Sequence, residues 1–146
     1  MSKTNDFENA LMLLLFNNTN IANIGDATGL RGSLTAGSFY VSLHTSDPGE
    51  AGDQTTNEVS YGGYARVAVE RSVSGWTVSG NQVVPAANIQ FPMGSSGSGT
   101  VTHFGIGTAS SGAGMLLYKG TVSPNITVGN GITPIITAAG TSITED

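Results

Sequence analysis

The sequence predicts a mainly β protein, an antiparallel β-sandwich or jelly-roll-like barrel with one N-terminal α-helix. Three observations carry the prediction. Short runs in which apolar and polar residues alternate recur along the chain, each closed by Gly, Pro, Asn or Ser. Helical spacing is confined to a stretch near the N-terminus. At 146 residues the chain fits one domain and can bury a core without covalent staples. Residues 1–37 read as a helix and an irregular arm, and residues 38–146 as the β-sandwich.

Residues 1–4 read as a loose tail. Thr4 or Asn5 is placed to cap a helix starting near Asp6, and Asp6 and Glu8 suit its positive N-terminal end. Phe7, Leu11, Leu14 and Leu15 fall on one helical face, and Met12 and Phe16 on a second. A short helix that is apolar over most of its girth either caps one end of the sandwich or is covered by a neighbouring subunit as well. Phe7, Leu11, Leu14, Leu15 and Phe16 are therefore the candidate subunit-interface residues. Asn17 to Gly37 reads as loop, with Ile21, Ile24 and Leu30 as anchors.

The centre of the sandwich is assigned to two facing runs. Ser38–Thr45 places Phe39, Val41 and Leu43 on one face and Tyr40, Ser42 and His44 on the other. Tyr64–Arg71 separates Ala65, Val67 and Val69 from Tyr64, Arg66 and Glu70. Between them lies Ser46–Gly63, polar and carrying Asp47, Glu50, Asp53 and Glu58. A loop of that length is usually functional or disordered, and it is read as a surface the protein uses.

Downstream the strands shorten. Ser72–Gly80 reads as strand, turn, strand, with Trp76 and Val78 on a common face. Gly80-Asn81 turns the chain into Gln82–Val84, and Asn88–Phe91 stops at Pro92. Gly94–Gly99 is a Gly/Ser run and is predicted to be a flexible loop. In Thr100–Thr108, Phe104 and Ile106 share a face, while Gly105 and Gly107 predict close packing of another element over the opposite one. Ala109–Gly114 is a turn. Met115–Thr121 completes a hairpin with Leu116 and Tyr118 on one face. Ile126–Val128, Ile135–Thr137 and Thr141–Thr144 read as further short strands.

Composition narrows the function. Charged residues are 10% of the chain, against about 25% in a typical soluble domain. The surface must be built from Ser, Thr, Asn, Gln and Gly, and part of it is expected to be covered by other chains. With five Lys and Arg and a net charge of −5, no basic patch forms, so nucleic acid is not an expected partner. Ala10–Phe16 is too short to span a bilayer. Asp6 and Glu8 before it and Asn17-Asn18-Thr19-Asn20 after it do not suit a signal peptide, so a soluble, cytoplasmically made protein without a membrane partner is expected. The absence of cysteine rules out disulfides and thiolate metal sites. His44 and His103 are the sole imidazole ligands, so structural zinc is not expected.

The search for chemistry finds little. His44, Asp47 and any of many serines sketch a triad, but no Gly-x-Ser-x-Gly elbow joins a strand to a helix. Asp47, Glu50 and Asp53 offer oxygen ligands for calcium without the order of a dedicated binding loop, and a solvated acidic loop is the simpler reading. His44 and His103 are read as polar-face histidines bonded to loop backbone. Trp76, Tyr61, Tyr64 and Phe91 suit either a sugar-stacking platform or a core. Asn17-Asn18-Thr19 and Asn125-Ile126-Thr127 match the glycosylation acceptor, which has little meaning without a secretory signal. No enzyme, cofactor or metal is expected.

Taken together, Leu43-His44-Thr45, Asp47-Pro48-Gly49, Thr56-Asn57-Glu58 and Tyr61-x-x-Tyr64-x-Arg66 resemble small virion structural proteins of tailed bacteriophages. Gly75-Trp76, Thr102-His103-Phe104-Gly105-Ile106 and the closing Ile143-Thr144-Glu145-Asp146 continue the resemblance, which runs from about Ser38 to the C-terminus. It implies a non-enzymatic virion component. The first expectation is a capsid decoration, or cement, protein that bridges subunits of the major capsid protein, as a homotrimer at junctions between hexamers. The alternative is a tail-fibre, baseplate or collar component engaged in host attachment. Under either, His44, Asp47, Pro48, Glu58 and Arg66 are expected to shape the long loop, with Glu58–Arg66 or Asp47–His44 pinning it to the strands.

Overall fold

A computed structural model describes residues 2–145; Met1 of the expected tail and Asp146 of the closing motif lie outside the described residues. The elements are α1 (Asn5–Asn17), β1 (Ser38–His44), β2 (Val67–Glu70), β3 (Trp76–Ser79), β4 (Gln82–Pro85), β5 (Ile89–Gln90), β6 (Ser98–Gly107), β7 (Leu116–Gly129), β8 (Ile135–Ile136) and β9 (Ile143–Thr144). The protein is mainly β, with antiparallel strand pairing and one N-terminal helix. The main sheet has the order β2-β1-β6-β7; smaller sheets are β3-β4-β9 and β5-β8.

The alternation of Phe39, Val41 and Leu43 turns these side chains inward, where they join Val101, Phe104 and Ile106 of β6. β1 does pair with the second expected run, Val41 facing Val67. That run is shorter than the alternation suggested, because Tyr64 is drawn into a turn whose N–H bonds the Tyr61 carbonyl at 3.0 Å. β2 is an edge strand, so the sheet's centre is β1 with β6. Ahead of β2 the faces are reversed from the expectation: Ala65 is exposed and Arg66 buried.

The helix starts at Asn5 without a side-chain cap bond from Thr4 and ends on left-handed Asn18. Its buried positions are Glu8, Met12 and Phe16, spaced four apart. The face that enters the core is thus the one the sequence ranked second, because a glutamate interrupts its apolar stripe. Phe16 meets Phe39, Trp76 and Tyr118 with ring centroids 5.3, 5.0 and 5.6 Å away. It lies in its own chain's core and is not available to a neighbour. Of the residues read as loop anchors, Ile24 and Leu30 are exposed.

Three further segments differ from the sequence expectation. Val73 sits in an exposed turn, so a strand begins only at Trp76. The Gly/Ser run is fastened: Ser95 N–H bonds the Gly62 carbonyl at 2.8 Å, Gly62 N–H bonds Ser96 at 3.0 Å, and a Cβ at Gly94 would overlap the Gly129 carbonyl. Here glycine serves close approach of backbones instead of flexibility. Finally, the strands read at Met115–Thr121 and Ile126–Val128 are one 14-residue strand, β7. A bulge against Ile106 and Gly107 shifts its register. Tyr118 then points into the core while Leu116 lies over Gly105 on the opposite face.

Candidate functional site

The back of the main sheet is where the ionisable residues converge. Ser42 and His44 of β1 and Gly105 and Gly107 of β6 form this face, and all four are buried. The long loop covers them. It returns alongside β1, with Thr45 N–H bonding the Asn57 carbonyl and Val59 N–H the Leu43 carbonyl, both at 2.9 Å. Gln54, fully buried, caps Gly107, where any Cβ would overlap its side chain. Gln54 Nε2 donates to the Tyr40 carbonyl at 3.3 Å, and its Oε1 accepts from Ala109 N–H at 2.9 Å. Gly105 and Gly107 predicted that something packs there; nothing in the loop's composition singled out Gln54.

Glu58 and Arg66 face each other in a two-pronged pair, Nε to Oε1 at 2.7 Å and Nη2 to Oε2 at 2.8 Å. The Arg66 side chain is 2% exposed and that of Glu58 16%. The guanidinium also donates to the carbonyls of Ala109 and Gly112, each at 2.9 Å. Tyr64 Oη donates to Glu58 Oε1 at 2.8 Å and accepts from Leu43 N–H at 3.1 Å. One cluster therefore ties the long loop, β1 and the β6–β7 connection together. The Glu58 bond holds the Arg66 pKa above its ordinary value, and burial pushes the Tyr64 phenol up.

His44 bonds loop backbone, as the sequence suggested, and is fully buried beneath that loop. Its Nδ1 faces the Thr56 carbonyl at 2.8 Å, and its Nε2 the Ser42 hydroxyl at 2.8 Å. A carbonyl only accepts, so Nδ1 carries the proton and neutral Nε2 accepts from Ser42. Both nitrogens are occupied, although His103 is its cross-strand partner. Among the described residues no group of three or more His, Asp or Glu side chains is placed to hold a metal.

Asp47 does not reach His44. It pairs with Lys119 of β7 at 3.0 Å, as does Glu50 at 3.1 Å. Its side chain also accepts from Gly49 N–H at 2.8 Å, closing the turn around buried Pro48. That amide and the Lys119 ammonium hold its carboxyl below the usual range. Such exposed pairs contribute little stability. The aromatics read as a possible sugar platform are mostly interior: Trp76 is 0%, Phe91 1% and Tyr61 6% exposed.

Burial holds the His44 pKa below its ordinary value, against the opposing pull of the Thr56 carbonyl and Glu58. On acidification the unfolded chain takes up this proton first, near pH 6.5. Stability is thus complete above about pH 6.5 and is lost as pH falls from there toward the lower folded pKa. The denaturation midpoint is expected to drop between pH 7.5 and pH 5, and His44→Gln is expected to shrink that drop. An undiminished drop in the variant would remove His44 as its cause.

Glu58, Arg66, His44 and Asp47 thus bond loop backbone and neighbouring side chains. The chain belongs to the family described as Podophage GP4 fiber I protein gp80, which matches residues 3–144. It is a bacteriophage virion structural protein related to fibers. A comparison with curated proteins finds no match.

Proposed function

We propose that the protein is a non-enzymatic component of the podophage fiber apparatus, acting by adhesion to other virion proteins. The family match across residues 3–144 carries this reading. The surface agrees with it: few charges, and apolar side chains such as Phe7, Leu34, Met93 and Met115 left exposed. Phe7 is exposed, and Leu11 and Leu14 are half-buried; they form the helix face offered to a neighbour, while Leu15 packs against the core. The Glu58–Arg66 cluster, with His44, Asp47 and Pro48, keeps the long loop in one shape for contact. Assembly takes place in the host cytoplasm. Capsid decoration, with the major capsid protein as partner, draws on the same charge-poor surface, but the family's description favours the fiber.

Localisation in an electron-microscopy map of the virion, with copy number from a gel of purified particles, tests this. The expected result is density at the tail and a band far weaker than the major capsid protein. Density over the head lattice at near-equal abundance would replace the fiber reading with capsid decoration.

A further inference from the structure

We propose that residues 18–33 form a rigid finger whose direction on the body is set by one side chain, Arg71. The finger is closed at its base by its own bonds. Asn18 Nδ2 donates to the Ser33 carbonyl at 2.8 Å, and Ser33 N–H donates to Asn18 Oδ1 at 2.7 Å. Gly32 N–H bonds Asn20 Oδ1 at 2.8 Å, and a Cβ at Gly32 would overlap the Asn18 side chain. Further out, Ile21 and Leu30 exchange backbone bonds of 2.8 and 2.9 Å. Asp26 Oδ1 turns the tip, accepting from Thr28 N–H at 2.8 Å and Gly29 N–H at 3.2 Å. Residues 22–28 are all exposed, and none of Ile21, Ile24 and Leu30 joins the core. Ordering a backbone costs conformational entropy; here the finger's own bonds offset it, without burial. Compact surface loops with closed ends are frequently functional.

The seating of the finger rests on a separate set of contacts. Among the described residues, the hydrogen bonds that reach residues 20–36 from the sheets and their turns all come from Arg71, just after β2. Its Nη1 donates to Ser33 Oγ at 3.3 Å and to the Ala36 carbonyl at 3.2 Å. The other side of the guanidinium meets the end of α1, Nε to the Leu15 carbonyl at 2.6 Å and Nη2 to the Leu14 carbonyl at 2.8 Å. The last turn of α1 has no basic residue of its own. Its terminal carbonyls carry the negative end of the helix dipole, so a cation from another element is favoured there. The guanidinium also lies over the Phe39 ring, 5.3 Å from its centroid. One planar fork thus joins the helix end, the finger base and β1. The other stem leaves α1 at left-handed Asn18, φ 55°, which serves as the joint. With Arg71 in place the finger keeps one direction; without it the finger pivots about Asn18 as a unit. This device goes beyond the fiber assignment and does not depend on it.

The full chain has no cysteine, so a pair of spin labels can be placed cleanly. Labels on Ala27→Cys, at the exposed tip, and Thr77→Cys, an exposed position on β3, report finger against body by pulsed electron spin resonance. With Arg71 present one narrow distance distribution is expected, and with Arg71→Ala a broad one. Trypsin reports the interior of the finger, because cleavage at exposed Arg31 requires the loop to open and follows the open population. Asn18→Gly removes the base bonds and keeps the left-handed φ accessible. It is expected to speed this cleavage about tenfold or more, two hydrogen bonds converted to an equilibrium constant. Arg71→Ala is expected to speed it less, since the finger moves whole. Arg71→Lys keeps a cation at the helix end but not the fork, and carries the same two comparisons if Arg71→Ala fails to fold. A distribution already broad with Arg71 present, one equally narrow without it, or cleavage at Arg31 rising as much in the Arg71 variant as in Asn18→Gly would each overturn the proposal.

Discussion

Arg66→Ala is expected to destabilise the protein by about 3–5 kcal/mol, the range for breaking one side of a buried ion pair. The substitution leaves the Glu58 carboxylate, 16% exposed, without its guanidinium, and strips the carbonyls of Ala109 and Gly112 of their donor. Glu58 keeps some access to water and the Tyr64 hydroxyl, which places the effect toward the lower end. In urea, where small proteins lose about 1–3 kcal/mol per molar, the midpoint should fall by about 1–3 M. Arg66→Lys should recover only part of this, because a single ammonium cannot span both carboxylate oxygens and two carbonyls as the planar fork does. A loss below about 1 kcal/mol for Arg66→Ala would mean that the cluster does not hold the three segments together.

Phe16→Ala should be comparably severe, about 3–5 kcal/mol, the range for truncating a buried aromatic. Its ring is wholly enclosed and sits among Phe39, Trp76 and Tyr118. The cavity would open between α1 and the sheets, where collapse is resisted from several sides. Phe7→Ala, on the same helix but 38% exposed, should cost about 0.5 kcal/mol or less, as surface positions do. Chemical denaturation of the two variants side by side checks both values. Equal losses would show that the two faces of α1 are not divided between core and surface.

Much of the architecture was legible because β-strands advertise themselves locally. The alternation at Phe39, Val41 and Leu43, the Gly80-Asn81 turn and the stop at Pro92 depend on near neighbours. The bacteriophage resemblance rested on Leu43-His44-Thr45 and the motifs that follow, and the family match agrees with it. Other features were hidden because their cause lies far along the chain. Glu8 disguised the buried helix face, since periodicity counts a carboxylate as solvent-facing. The bulge in β7, opposite Ile106 and Gly107, reverses which side chains share a face, and no local pattern marks it. The Glu58–Arg66 pair was readable as a possibility; its ties to Ala109 and Gly112, more than forty residues away, were not.

The sequence by itself determined that this is a charge-poor, cysteine-free β protein with one apolar helix and a long polar loop, because composition and period are properties of the chain alone. Only the tertiary structure decided that the loop lies down on the sheet, that His44 is interior, and that Gln54 fills the space above Gly107. Those outcomes follow from which distant backbone groups lack partners once the strands have paired. Buried polar atoms must be satisfied wherever the fold leaves them, and the satisfying residue is chosen by position in space, not by its neighbours in the chain.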